Sequence, residues 1–257
     1  MNPRQKYIAF LTIFNKEVRR SVRTWKTTFL PSVVTTILYF LIFGSFIGSQ
    51  IRAVGGVSYM AFIVPGLVMM AIFMNSFQSM LFKFYFLKFQ KTVQEILISP
   101  MPIWLVVFSY IAASVFNGFI IGSLVFSSAY FFETVTIAHP VLAVLVVVTV
   151  ATFFALLGLV NAIYAKTFED MGIVQTFVLT PLTYLGGIFY SISLLPELWQ
   201  RVSHFNPILY MINAFRYSIL GFSDITFGTC LLVILCGNVL AFSWVVYLFK
   251  TGRGLKH

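Results

Sequence analysis

The sequence predicts an all-α membrane protein with six transmembrane helices. An amphipathic helix is expected to lie in the interface at the N-terminus, and a re-entrant helix pair on the outer side. Three observations carry this expectation. Of the 257 residues, 60% are hydrophobic and only 9% charged, whereas a water-soluble domain carries about a quarter charged residues. Six apolar runs, at about 29–49, 59–82, 103–132, 140–165, 171–190 and 225–249, contain no Asp, Glu, Lys or Arg. Each reaches the roughly 20 residues that a helix needs to cross the hydrocarbon layer. Finally, the basic residues crowd into alternate gaps between the runs, which is how a polytopic chain fixes its orientation.

The chain reads as one transmembrane domain over residues 1–257. Its first 28 residues hold an apolar stripe of Tyr7, Phe10, Leu11, Phe14, Val18, Val22 and Trp25. Lys16, Arg19, Arg20, Arg23 and Lys26 cover the other side. That division suits a helix in the headgroup region with an aromatic anchor at its end. The N-terminus is polar and basic, without the short apolar core and small-residue site of a cleavable signal peptide.

Between the second and third runs lies the 83–102 stretch, KFYFLKFQKTVQEILISPMP, with Lys83, Lys88, Lys91 and a single acid, Glu95. Phe89, Val93, Ile96 and Leu97 recur at helical spacing, so a short amphipathic helix is expected there. Pro100 and Pro102 end it, because proline cannot continue a helix and restrains the residue before it. Two readings fit this helix: it lies on the membrane, or it receives a partner that pushes on it.

Of the 17 Lys and Arg residues, only Arg52, Arg201 and Arg216 fall in the opposite set of gaps. Both termini, the 83–102 stretch and the Lys166 turn are therefore expected in the cytoplasm. On the outer side, 191–224 is too apolar for a free loop. Leu198, Trp199, Val202 and Phe205 share one helix face, and Ile208, Met211, Ile212, Phe215 and Ile219 share another. Asn206-Pro207 divides them as N-cap and first helical residue. Two short helices dipping part-way into the membrane satisfy their backbone at depth; a pair lying on the surface is the alternative.

Several function classes are excluded or weakened. Span interiors free of ionisable groups argue against an ion-driven carrier, a charged channel ring or an intramembrane hydrolase. His139, His204 and His257 are scattered, and Cys230 and Cys236 sit on different faces of the last run, so neither a metal site nor a disulfide is expected. No G-x-x-x-x-G-K-[ST] phosphate loop occurs, and no internal repeat is visible. The net charge of +10 is accounted for by membrane orientation, with no nucleic-acid partner. Mild polar residues remain inside the runs, among them Asn75, Ser76, Gln78, Ser79, Asn117, Asn161, Gln175, Thr176, Thr180 and Thr183. They either bond helix to helix or line a route through the membrane; for a route, Asn75, Gln78, Gln175, Thr180 and Tyr184 are the candidates. Gly44-x-x-x-Gly48 and Gly118-x-x-x-Gly122 permit close helix approach.

Thr92-Val93-Gln94-Glu95-Ile96-Leu97-Ile98-Ser99-Pro100 resembles the cytoplasmic loop of ABC-2 type permeases. Asn206-Pro207-x-x-Tyr210 with Phe215-Arg216-Tyr217 resembles that family's outer segment. The likeness covers essentially the whole chain and is nearest to the YadH-like permeases of the bacterial inner membrane. It implies a non-enzymatic half-transporter that pairs with a second copy of itself above a separate ATPase dimer. ATP and Mg would be held by that partner, with no cofactor in this chain. By position it implies a coupling helix over 90–100, with Gln90, Lys91, Thr92, Gln94, Glu95, Ile96, Leu97, Ser99 and Pro100 facing the ATPase. The 4–26 helix, with Lys16, Arg19, Arg20 and Arg23, would lie beside it. Asn206, Pro207, Tyr210, Arg216 and Tyr217 would belong to a cap over the outer gate, and the first and fifth spans to the dimer interface and substrate path. Export of an amphipathic molecule, whether lipid, glycolipid, polysaccharide or drug, is the function so implied. A membrane scaffold or assembly factor without transport is the rival.

Overall fold

The computed structural model describes residues 2–48, 56–90 and 101–252, the side chains of Ser45 and Ile47 excepted. Among these the regular structure is helical. Helix α1 (Pro3–Arg23) ends at Thr24, where two threonines turn their hydroxyls onto the backbone: Thr24 Oγ1 donates to Arg20 O, and Thr27 Oγ1 to Thr24 O. Such bonds compete with the helical ladder and favour a break. The chain re-enters helix as α2 (Trp25–Thr28) and α3 (Leu30–Tyr39), with Pro31 in the first turn, and continues as a π-helix, π1 (Phe40–Ile47).

Helix α4 (Tyr59–Phe89) is the axis of the molecule. Ser58 starts it by accepting the Ala61 N–H at 3.1 Å. Its 31 residues reach roughly 46 Å, well beyond a hydrocarbon layer of about 30 Å. That excess corrects one expectation: Lys83, Lys88 and Phe89 belong to the last turns of this helix, which Gln90 caps. Helices α5 (Ile103–Ala129) and α6 (Pro140–Tyr164) flank it. Helix α6 can come close because a Cβ on Gly158 would collide with the Phe77 carbonyl. Helix α5 does so at Gly118 and Gly122, where a Cβ would meet Ser76 and Ile72.

The fifth apolar run forms α7 (Asp170–Val174), π2 (Gln175–Leu179) and α8 (Thr180–Tyr184) in succession. This helical rod is shorter than the full run and falls short of the roughly 20 residues of a span. Among the described residues, five helices are long and apolar enough to cross a membrane. After a 3-10 turn at Ile192–Leu194 come α9 (Glu197–His204), α10 (Pro207–Leu220) and α11 (Phe227–Thr251). Almost nine-tenths (89%) of the apolar stretch of α4 is buried, against 17% for the first span and 22% for α11. Those two peripheral helices present apolar faces outward, such as Val34, Leu38 and Phe46 on the first and Leu232, Val239 and Leu240 on the last. An apolar exterior is what lipid or another membrane helix requires.

Candidate functional site

Two polar regions interrupt the apolar bundle. One lies where α1 and α2 meet α4, toward the end of α4 that carries the loop. The most buried residues of α1 are polar: Glu17 (2% exposed) and Ser21 (5%). One helical turn apart, they share a face. Ser21 Oγ accepts from Asn117 Nδ2 at 2.8 Å, and the same amide donates to Ser79 Oγ at 3.0 Å. Asn117 thus ties α1, α4 and α5 together. Next to it Asn75 Nδ2 donates to Thr28 O at 3.1 Å while its Oδ1 has no partner. Phe14 adds an edge-on contact with Phe116, ring centres 5.8 Å apart.

Lys83 is buried here, 7% exposed, and its Nζ makes no hydrogen bond. It lines two cavities. One, about 310 Å³, is bounded by Arg20, Thr24, Asn75, Gln78 and Phe82; the other, about 240 Å³, by Lys16, Glu17, Arg20, Gln90 and Tyr110. Of the cationic helix residues, Lys16 and Arg20 therefore face this region, while Arg19 and Arg23 point outward.

The route candidates divide. Gln78 Nε2 donates to Gln175 Oε1 at 3.0 Å, joining α4 to π2. Thr180 Oγ1 donates to Gln175 O at 2.9 Å, within its own helical rod. The Tyr184 hydroxyl lies 3.2 Å from that of Tyr39 on the first span. Asn75, Gln78 and Gln175 thus form one polar seam, and Tyr184 stands apart with an aromatic group that includes Phe189. Asn161 bridges to Met171 O at 3.1 Å, so it bonds helix to helix.

Farther down α4, Lys88 Nζ donates to Ile163 O at 2.8 Å and Ala165 O at 2.6 Å. An ammonium on the last carbonyls of a helix satisfies groups the ladder leaves open and favours the negative end of the helix dipole. The following turn is held by Asp170, whose carboxylate accepts the N–H groups of Lys166 and Thr167 at 2.9 Å each. Those bonds, that of Thr167 foremost, hold its carboxyl below the usual carboxylate range. Gln90 ends α4; Lys91, Thr92, Gln94, Glu95, Ile96, Leu97, Ser99 and Pro100 lie outside the described residues.

The second polar region is at the other end. Asn206 caps α10 by accepting the Ile208 N–H at 3.0 Å, with Pro207 as first helical residue, and donates to Leu182 O at 2.6 Å. Arg216, fully buried, donates from Nη2 to Gly187 O at 2.7 Å. Its guanidinium carbon sits 3.9 Å from the centre of the Phe62 ring, and Nη1 is 3.9 Å from Asp224 Oδ2. Asp224 accepts from Ser191 Oγ at 2.6 Å, and its N–H donates to Asn213 Oδ1 at 3.0 Å. The Tyr210 hydroxyl donates to His204 O at 2.9 Å, while Tyr217 stacks between His139 and Phe227. Helix α10 is buried along most of its length, whereas α9 exposes Leu198, Trp199 and Val202, followed by Phe205.

Glu17 is the buried polar residue of this cleft that reading the sequence missed. An acid among seven cations on the 4–26 helix looks solvated, and only the i, i+4 pairing with Ser21 hinted at an inward polar face.

A sequence profile of the family described as ABC-2 type transporter matches residues 8–220. The inner membrane transport permease YadH of Escherichia coli strain K12 is 43% identical over 254 residues, covering 97% of this chain and 98% of that protein. Nodulation protein J of Rhizobium meliloti strain 1021 is 25% identical over 232 residues, 87% of each chain. Its counterpart in Neorhizobium galegae is 26% identical over 235 residues, 84% of this chain and 87% of the other.

Proposed function

Since this chain belongs to the ABC-2 type transporter family, and so is a transport permease rather than an enzyme, we propose that it is the membrane half of an ABC exporter. It works in the bacterial inner membrane as a homodimer above a separately encoded ATPase dimer, which holds ATP and Mg. The chain crosses six times, the 170–184 rod and the segment after it making the fifth passage, so that both termini lie in the cytoplasm. Residues 90–100 form the coupling helix, with Glu95 its polar contact. The 191–224 segment, with Arg216 and Asn206 fixing it, closes the outer end. Export of an amphipathic molecule proceeds as ATPase closure pushes the coupling helix and rocks the bundle between inward- and outward-open states.

The observation that carries this reading is the kinship along nearly the whole chain, taking in the loop and the outer segment together. Two features are consistent with it: α4, the most buried helix, runs directly into the loop, and the first span and π2 leave outward apolar faces, including Phe46 and Phe177, for a second copy. Affinity purification of the full chain from native membranes, followed by mass spectrometry, tests it. An ABC ATPase is expected to co-purify, and to be lost from the Glu95→Ala and Leu97→Glu variants. Recovery of no ATPase, or its retention in both variants, would favour the scaffold.

A further inference from the structure

We propose that the cleft between α1 and the last turns of α4 is a binding site for a phosphate-class anion, with Lys83 and Arg20 as its cationic walls. Lys83 is more than nine-tenths buried, its Nζ has no hydrogen-bond partner, and it borders both cavities in the cleft, as Arg20 does. Removing an ammonium from water without giving it a partner is among the least favourable things a fold can do. The cavities are far roomier than one water requires.

The charges around the cleft are Lys16, Arg20 and Lys83 against one acid, Glu17. Glu17 and Lys83 are not in ion-pair contact; Arg216 with Asp224 is the ion pair among the described residues. Glu17 Oε2 is itself buried without a partner. One carboxylate therefore leaves an excess of two positive charges bordering the cleft. A phosphate answers that excess, lysine meeting it as a point charge and arginine through its planar fork.

The site stands six residues before the end of α4, roughly 9 Å along the helix, and Phe82 and Phe86 border it. The same chemistry can come from a lipid headgroup or from free phosphate. Binding needs no ATPase, so its outcome is separable from that of the export reading.

The test is native mass spectrometry and thermal shift on the purified full chain in phosphate-free detergent, with three probes: phosphatidic acid, phosphatidylcholine and inorganic phosphate. Phosphatidic acid retained over phosphatidylcholine and displaced by inorganic phosphate identifies a headgroup site. A thermal shift with inorganic phosphate and no retained lipid identifies a site for the free anion. In either case Lys83→Met is expected to weaken binding about tenfold, Lys83→Arg to restore much of it, and exposed Lys250→Met to change nothing. If Lys83→Met fails to fold, Arg20→Gln, on the exposed rim, reports the same loss. Glu17→Gln removes the competing charge and is expected to tighten binding several-fold. Equal binding in the parent and both cation variants, or no binding of any anion, would overturn the assignment.

Discussion

Two buried cations, Arg216 near one end of the molecule and Lys83 near the other, are treated oppositely by the fold. Arg216 has a carbonyl at 2.7 Å, an aromatic face at 3.9 Å and a carboxylate at 3.9 Å, all from different segments. Lys83 has a roomy cavity on either side and no bonded partner. The first arrangement is a clamp: its charge is used to hold Gly187, Phe62 and Asp224 together. The second leaves a charge without a bonded partner among the described residues. Burial alone does not separate the two; the placement of acceptors does.

Stability measurements sharpen the contrast. Arg216→Ala strands Asp224 and the Gly187 carbonyl and is expected to cost about 3–4 kcal/mol, read as a lowered melting temperature in detergent. Lys83→Met is expected to stay within about 1 kcal/mol of the parent in phosphate-free detergent. The desolvation of the ammonium is relieved there, and only the attraction of Glu17, which borders the same cavity without ion-pair contact, is lost. Equal losses in the two variants would erase the distinction.

Lys88 supplies an intermediate case, a partly buried lysine with two carbonyl acceptors. Lys88→Met frees the end of α6 and is expected to cost about 1.5–2 kcal/mol, with faster amide exchange at residues 163–166. A variant with unchanged exchange there would show that the ammonium is not the cap.

The smallest effect belongs to Asp170. Its lowered folded pKa means that its contribution is present above the unfolded carboxylate value near 4 and disappears as pH falls through the folded value. Asp170→Ala is therefore expected to melt slightly below the parent at pH 7 and together with it at pH 3. A gap that persists at pH 3 would assign the effect to packing rather than charge.

How much of this could be read in the sequence depends on which force fixes each feature. The long apolar runs and the Asn206-Pro207 helix start follow from local chemistry: hydropathy for the runs, a side-chain cap and a preset φ for the start. The end of α4 did not, because Lys83 and Lys88 look like loop residues until their long stems are seen packed among helices. The fifth run was read as one span, but its backbone shifts into a π-helix at Gln175–Leu179, which no composition marks. Within the seam, Gln78 and Gln175 were recognisable as polar residues at membrane depth. Their pairing at 3.0 Å is a tertiary fact, as is the inward turn of Glu17.

The grip of Lys88 on Ile163 and Ala165 has a consequence for motion. The base of α4 and the foot of α6 are splinted one turn before the chain leaves for residues 91–100, so a shove delivered through that stretch cannot bend α4 alone. The two rods would swing as a single lever, dragging the Asp170 corner with them, while the loosely attached first span is left free to lag behind.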